Sequence, residues 1–321
     1  MATADNQIGR MEAIGLGIES TPGVAVAPQI YVRWYDNGFQ SKTNVVENES
    51  AMGVVDEISD SEVTSDWMEG AIGGKNADQA IGFLMTGFFG LPTTGAAESG
   101  VYPHTFRMGQ SSVPRTLTIV RSNPLETLAY PYGTVDTLEF SSEADDWVMF
   151  SSALKARSGA PTTATPAFID ETEFTSKHIS VKLAANVAGL SSAPNLKAVS
   201  AKLNLERPSE PFNPLGTGST PEFDRGAFTV TGELVIRYTD TQYEADFLNN
   251  VAKAMEVKLQ NGNRSLTFTL PQVRTRELER SGDRNEVVTQ TLNLKGEYSL
   301  SAGYSVEAVL RNTRATYEAA S

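Results

Sequence analysis

The stretch AFTVTGELVIRY, residues 227–238, decides the fold class of this chain. Every second residue from Phe228 to Ile236 is apolar or glycine, and the residues between them are mostly polar. A period of two is typical of a strand that buries one face and exposes the other to solvent. The stretch AVSAKLNLE, residues 198–206, alternates in the same way. We therefore predict a mainly β protein with half-buried antiparallel strands.

Turn residues near the C-terminus predict two hairpins. Residues 255–259 and 266–270 flank Asn261-Gly262-Asn263, and asparagine and glycine tolerate the positive φ that a tight turn requires. Residues 292–300 and 304–310 show a similar pattern around a glycine-containing turn. We expect both pairs of strands to lie side by side.

Helical periodicity occurs only at residues 76–89 and 240–251. Asn76 is a suitable N-cap for the first helix, and Gly90 is a suitable residue to end it. Apolar residues recur at spacings of three and four in both segments, which predicts one short amphipathic helix lying on a sheet in each half. The side chains that we predict to face the core are Ile81, Leu84 and Met85 in the first helix and Phe247, Leu248 and Val251 in the second.

The order of these pieces is repeated along the chain. Each half consists of a strand, a long loop, a second strand, a helix and then a run of further strands. The first four pieces are residues 31–39, 40–62, 63–72 and 76–89 in the first half, and residues 198–206, 207–225, 227–238 and 240–251 in the second. Such self-similarity predicts a duplicated unit. We place a first β domain at residues 1–158, a linker with a connecting strand at 159–197, and a second β domain at 198–321.

The two long segments differ in composition from the rest of the chain. Residues 36–69 contain nine acidic residues and one basic residue, Lys42. Residues 207–225 contain four prolines, which cannot occupy a central strand. Loops of this length inside a compact domain tend to be functional, so we expect both to contact a partner.

The composition excludes several classes of protein. With 39 acidic and 26 basic residues the chain has a net charge of −13, so diffuse attraction to nucleic acid is not expected. The absence of cysteine excludes a disulfide framework, a thiolate metal site and a thiol nucleophile. The first ten residues lack the pattern of a secretion signal, and the longest apolar run, residues 81–91, is too short to span a membrane. We expect a soluble protein that is made in the cytoplasm.

Catalytic patterns are weak. The chain has two histidines, and for His104, in Tyr102-Pro103-His104-Thr105-Phe106, a structural hydrogen bond is the favoured role. Residues 15–19, GLGIE, lack the third glycine of a dinucleotide loop. The acids between Asp56 and Glu62 lack the spacing of a calcium loop. We predict no enzyme activity, no cofactor and no metal; a glycan hydrolase that uses two carboxylates is the enzyme alternative.

Several short motifs, in order, resemble a known family. They are GIESTPGVA (17–25) with Tyr31-Val32, EGAIG (69–73), GFLM (82–85) with Phe89-Gly90, YPHTF (102–106), PRTLTI (114–119), YGTV (132–135) and LEFS (138–141). In this order they resemble the major tail tube proteins of long-tailed, siphovirus-like bacteriophages. The resemblance implies a β-sandwich or barrel with a flanking helix. Together with the repeated order of elements, it predicts two tandem tail-tube-type domains, each with one short flanking α-helix and a long extended loop.

The resemblance also implies a function. Proteins of this family form rings that stack into a hollow tube through which DNA leaves the virion without specific binding, and they meet a tape measure protein, a tail terminator and tail-tip proteins. A duplicated chain would close a pseudo-hexameric ring with three copies; a ring of six copies is the alternative. The candidates for contacts between rings are Glu47, Glu49, Asp56, Glu57, Asp60, Phe212 and Phe223. A tail-tip or receptor-binding β-sandwich protein is the alternative function.

Overall fold

Strands account for most of the chain in a computed structural model, which describes residues 8–110, 115–216, 218, 220–282 and 284–319. In the first half the strands are β1 Ala13–Ile18, β2 Ile30–Val32, β3 Asp36–Asn37, β4 Gln40–Asn48, β5 Asp60–Lys75, β6 Thr93–Thr94, β7 Tyr102–Arg107, β8 Leu117–Ser122, β9 Thr127–Val135, β10 Thr137–Glu143, β11 Met149–Arg157 and β12 Ala160–Pro161. Those that follow are β13 Ile179–Ala184, β14 Ala198–Glu206, β15 Ser209–Phe212, β16 Glu222–Arg225, β17 Thr229–Arg237, β18 Lys253–Asn261, β19 Arg264–Arg280, β20 Thr289–Gly296 and β21 Glu307–Asn312. Helix α1 is Ala80–Phe89 and helix α2 is Gln242–Leu248. The predicted mainly β class is confirmed.

Two rows of four antiparallel strands have the same internal order. The first row runs β4, β5, β11, β10, and the second runs β14, β17, β20, β19. If the four strands of a row are numbered in chain order, each row therefore runs first, second, fourth, third across the sheet. The rows join where β10 pairs with β14, from Thr137 opposite Glu206 to Glu143 opposite Ser200.

The remaining strands extend these rows. The first half of β19 pairs with β18 and β21, and β21 pairs with β7. Strand β1 lies between β2 and β8, and β9 connects β8 to β11. Strands from both halves thus share one hydrogen-bonded network, within which the domain bounds 1–158, 159–197 and 198–321 remain a prediction.

The alternation that predicted β17 corresponds to its burial. Val230, Leu234 and Ile236 are buried and face the core, while Thr231, Glu233 and Arg237 lie on the exposed or half-buried side. The hairpin around Gly262 is confirmed, since β18 and β19 pair up to Asn261 opposite Arg264. The second predicted hairpin is confirmed only at its turn, where Ser299 and Tyr304 form an isolated antiparallel bridge. Its strands do not pair: β20 ends at Gly296 and pairs with β17 and β19, not with β21.

Helix α1 is buried on all sides rather than amphipathic. All ten of its residues are buried, and Ile81, Leu84 and Met85 lie in the hydrophobic core. The helix begins at Ala80, later than predicted, and its first amides are capped from a distance: the carboxylate of Glu171 accepts hydrogen bonds from Gln79 N at 3.2 Å and Ala80 N at 2.6 Å.

The predicted core face of helix α2 is wrong. Leu248 is 74% exposed, Val251 is 39% exposed and Phe247 is only partly buried. The helix has seven residues and ends at Leu248, after which Asn250 at φ +50° turns the chain. Val251 therefore does not continue the helical face, and it is Tyr243 that packs against the core.

Both predicted long loops contain hairpins. Residues 40–48 form β4 and pair with β5, while β15 and β16 pair between residues 209 and 225. The prediction missed β4 because none of its residues is buried, so its sequence has no apolar face to alternate with a polar one.

Candidate functional site

An exposed hairpin stands out from the body of the fold. It consists of β4, the first five residues of β5 and the connecting residues 49–59; we call it the acidic arm, residues 40–64. Every residue from Gln40 to Thr64 is exposed, although β4 and β5 pair from Gln40 opposite Glu69 to Asn48 opposite Asp60. Its hydrogen-bonded backbone is therefore ordered without the support of a core of its own.

The arm carries two kinds of side chain suited to an interface. Its apolar residues, each at least 49% exposed, are Val45, Val46, Met52, Val54, Val55, Ile58 and Val63. The predicted contact residues Glu47, Glu49, Asp56, Glu57 and Asp60 are all exposed as well, and none of them makes an ion pair with another described residue. Exposed apolar side chains in such number mark an interaction site.

The root of the arm is fixed to the body. Asn44 Nδ2 donates to the buried Ser65 Oγ at 3.0 Å, and the Ser158 hydroxyl donates to the Asp66 carboxylate. Asn213 Nδ2 donates to the Thr64 carbonyl at 3.0 Å, which joins the arm to the second hairpin, β15–β16. The arm therefore projects from a defined base.

The second hairpin is anchored by a buried polar cluster. Asp136 Oδ1 accepts from Ser209 Oγ at 2.7 Å, and Asp136 Oδ2 lies 3.2 Å from Lys155 Nζ. The same Lys155 ammonium donates to the Ser209 carbonyl. Because the carboxylate is both paired and hydrogen-bonded, its burial is compensated.

The two aromatic contact candidates on this hairpin have different surroundings. Phe212 is 51% exposed, whereas Phe223 is 4% exposed and its ring lies 6.0 Å from the ring of Tyr132. The assignment of Phe223 to a contact between rings is wrong in this fold, because the hairpin folds that side chain back onto the body.

Arg225, the last residue of β16, fixes the hairpin to helix α1. Its guanidinium donates to the carbonyls of Gly87 at 3.2 Å, Phe88 at 3.5 Å and Val135 at 3.3 Å. Burial, reinforced by the charge of Arg207, lowers the pKa of Arg225 to about 10. A cation at the carbonyl end of a helix also complements the helix dipole.

Glu19, in the GIESTPGVA motif, organises the loop after β1. Its side chain is 1% exposed and accepts hydrogen bonds from Gly23 N at 2.7 Å, Thr116 Oγ1 at 2.6 Å, Thr118 Oγ1 at 2.9 Å and Tyr132 N at 2.9 Å. A carboxylate that accepts this many hydrogen bonds tolerates burial. The residue holds backbone in place and is not open to a substrate.

The histidines have structural surroundings. His104 is fully buried; its Nε2 donates to the Arg314 carbonyl at 2.9 Å, so its Nδ1 accepts from Thr94 Oγ1, also at 2.9 Å. His178 Nδ1 accepts from Thr175 N at 3.1 Å. Among the described residues no group of three potential metal ligands occurs. Nor is any helix in that part of the chain both long and apolar enough to cross a membrane.

The anchoring residues of the second hairpin were missed by sequence reasoning. Asp136 and Ser209 lie 73 positions apart, and Arg225 and Gly87 lie 138 apart. No local spacing signals contacts of that kind; the proline content of residues 207–225 indicated only that the segment is irregular.

Comparison with known proteins places the chain in a family. A search of curated proteins gives no match. Among solved structures, a chain from the virion of a native gene transfer agent particle is similar, with 10% identity and a TM-score of 0.32 over 39% of this chain and 95% of that one. The family model described as phage tail tube protein matches residues 9–296. The chain therefore belongs to the phage tail tube protein family.

Proposed function

We propose that this protein is the subunit of a phage tail tube, which self-assembles into rings and performs no catalysis. Membership of the tail tube family supports a structural tail protein. The observation that carries the finer proposal is the acidic arm, 25 consecutive exposed residues that include seven large apolar side chains, each at least 49% exposed. A monomer gains nothing from such a surface, whereas an assembly buries it.

Two free strand edges support ring closure. Strand β4 pairs with β5 on one side only, and residues 274–280 of β19 pair with β20 but with no other described strand. These edges lie at the two ends of the eight-strand row formed by β4, β5, β11, β10, β14, β17, β20 and β19. Unpaired edges favour pairing with another chain.

The chain provides its own template for that pairing. Within the subunit, β10 is the last strand of the first row in space and β14 is the first strand of the second row. These two strands pair antiparallel over seven residues. Residues 274–280 and β4 occupy the corresponding places in their rows. In the proposed ring, residues 274–280 of one copy pair with β4 of the next as β10 pairs with β14.

This arrangement favours three copies per ring. Each chain then supplies two of six equivalent positions, and the alternative of six whole chains would double the number of rows. Cryo-electron microscopy of the tube distinguishes the two, since a ring containing six complete chains would refute the trimer.

Stacked rings enclose a lumen through which DNA passes. The net charge of −13 supports a conduit that does not hold phosphates. The acidic arms contact the next ring through the arm acids, and the exposed Phe212 on the second hairpin adds a separate contact. By family resemblance the further partners are a tape measure protein, a tail terminator and tail-tip proteins; the tube is part of the virion, and its subunits are made in the host cytoplasm.

Negative-stain electron microscopy of the concentrated protein tests the proposal. Hollow tubes of uniform width are expected. A protein that stays monomeric at millimolar concentration and is missing from virions by mass spectrometry would refute it. Copy number separates the tail-tip alternative, because a tube subunit is present in many copies per particle and a tip protein in few.

A further inference from the structure

Four arginines line two adjoining cavities beside the carbonyl end of helix α1. One cavity, of about 450 Å³, is lined by Arg115, Arg207 and Arg225, and the other, of about 620 Å³, is lined by Arg107 and Arg207. Arg207 and Gly109 border both cavities. We call this continuous surface the arginine groove.

Most of the positive charge in the groove has no acidic counterpart. Arg107 pairs with Glu307, but Arg225 donates only to backbone carbonyls. Arg207 has long contacts, to the Gly226 carbonyl at 3.4 Å and the Met108 sulfur at 3.5 Å, and Arg115 makes no ion pair with a described residue.

Among the described residues that line the two cavities one is acidic, and it does not offset these charges. It is Glu19, whose oxygens already accept four hydrogen bonds at 1% exposure. Arg207 lies close enough to Arg225 to lower the pKa of Arg225, after the larger effect of burial, and the opposite effect of the Asp136 charge is smaller. An anion in the groove would relieve this repulsion.

We propose that the arginine groove receives the acidic arm of a second copy of this chain. The inference rests on the proposed function, since it identifies the surface that the arm contacts on a neighbouring subunit. The complementarity has two parts. The first is charge: residues 40–62 of the arm contain six acids and one base, and the groove contains four arginines. The second is apolar contact: the exposed Val54 and Val55 of the arm tip would pack against Leu91 and Tyr298 of the groove.

A second copy suits the groove better than nucleic acid does. A DNA phosphate would meet the same arginines, but the chain as a whole repels it with a net charge of −13. Every chain, by contrast, carries one arm and one groove, so the two are present in equal number in an assembly. The arm is exposed from Gln40 to Thr64 in its own chain.

A charge-swap experiment on the full chain tests the pairing. The groove variant is Arg115→Glu with Arg207→Glu, and the arm variant is Asp56→Lys with Glu57→Lys. Each is expected to raise the protein concentration needed for tube formation about tenfold or more, and a chain that carries all four changes is expected to return to within about threefold of the native value. Arg225 is left unchanged because it also caps helix α1.

The control has the same change of charge at another place. Lys177 and Lys197 are exposed and make no ion pair with a described residue, so Lys177→Glu with Lys197→Glu should leave the threshold unchanged. Thermal unfolding of each unassembled variant shows whether it is folded. If the groove variant is not, Arg207→Gln alone takes its place, with a smaller rise expected.

The absence of native cysteine allows a direct test of contact. Glu57→Cys and Arg207→Cys proteins are mixed, assembled and oxidised, and a disulfide-linked dimer is expected from the mixture but not from a mixture of Glu57→Cys and Lys197→Cys. Native protein that forms no tubes overturns the proposed function. Tubes that form normally from the groove variant, or a four-residue swap that restores nothing, overturn the groove as the receiving surface and leave the tube intact.

Discussion

Tyr317 should be among the most stabilising side chains outside the strands. The side chain is 1% exposed; its hydroxyl donates to the Gln79 carbonyl at 3.0 Å and accepts from Asn312 Nδ2 at 2.6 Å. Its ring lies 4.8 Å from the ring of His104 and 5.3 Å from that of Phe83. It thus ties the C-terminal segment to the first turns of helix α1.

Truncation of Tyr317 to alanine should cost about 3–5 kcal/mol in the free energy of unfolding, the range for deleting a buried aromatic ring. Tyr317→Phe should cost about 1–3 kcal/mol, because the Gln79 carbonyl then loses its donor. For a chain of this size the alanine variant should melt on the order of 10 °C lower. Urea unfolding of the unassembled protein measures both. A loss below about 1 kcal/mol for Tyr317→Ala would show that the segment is not part of the cooperative fold.

Gly82 makes this prediction specific. A Cβ atom at Gly82 would lie 2.1 Å from Cζ and 2.3 Å from the hydroxyl oxygen of Tyr317. In the native background Gly82→Ala should therefore destabilise by about 1–3 kcal/mol through overpacking. In the Tyr317→Ala background the methyl group enters vacated space, and the helical preference for alanine over glycine should make the same change neutral or stabilising by up to about 1 kcal/mol.

The double-mutant cycle should thus yield a coupling of about 1–4 kcal/mol between Gly82 and Tyr317. Additive effects of the two substitutions, within about 0.5 kcal/mol, would refute the packing argument even if each variant alone is unstable.

Three further predictions concern the buried carboxylate, the buried histidine and the arm. Glu19→Ala should cost about 2–5 kcal/mol in urea unfolding, since it leaves the amides of Gly23 and Tyr132 without an acceptor, and Glu19→Gln should cost less; equal losses would contradict this account. Burial, followed by the Arg314 charge, lowers the pKa of His104 below its ordinary 6.5. The unfolded chain therefore binds the proton more readily, and the folded state should lose stability as the pH falls below 6.5. His104→Gln should reduce the dependence of the melting temperature on pH more than His178→Gln does. Deletion of residues 50–58 should leave the melting temperature within about 3 °C of native and abolish tubes in electron micrographs; an unfolded product would place the arm in the core.

Local patterns predicted the parts of this fold that bury one face of a strand. Val230, Leu234 and Ile236 recur at even spacing because the core lies on one side of β17. The turn at Gly262 has a positive φ, which the glycine in the sequence predicts. Strand β4 has no buried face, so no alternation of apolar and polar residues marks it in the sequence. It is a strand because it pairs with β5.

Contacts distant in sequence account for the other differences. Helix α1 is buried all round because Tyr317, more than 230 residues later, covers the side where Gly82 leaves room. The all-round burial of a helix that reads as amphipathic therefore depended on the far end of the chain. The same holds for the site: the composition of the arm identified an exposed acidic surface, but the arginines proposed to receive it, such as Arg115 and Arg207, lie 92 positions apart and form no motif.

The two rows are equal in strand order but unequal in their hairpins, and this difference bears on how the proposed rings stack. In the first row the hairpin is long and exposed from Gln40 to Thr64, whereas in the second it is short and held down by Asp136 and Arg225. The first row thus projects its hairpin into solvent, whereas the second row keeps its hairpin on the body, beside the arginine groove. A chain that fuses two such units can specialise them, which six identical single units cannot do. In a ring of three, arms and anchored hairpins would alternate, so the surface between rings would have threefold symmetry even where the strand rows approach sixfold.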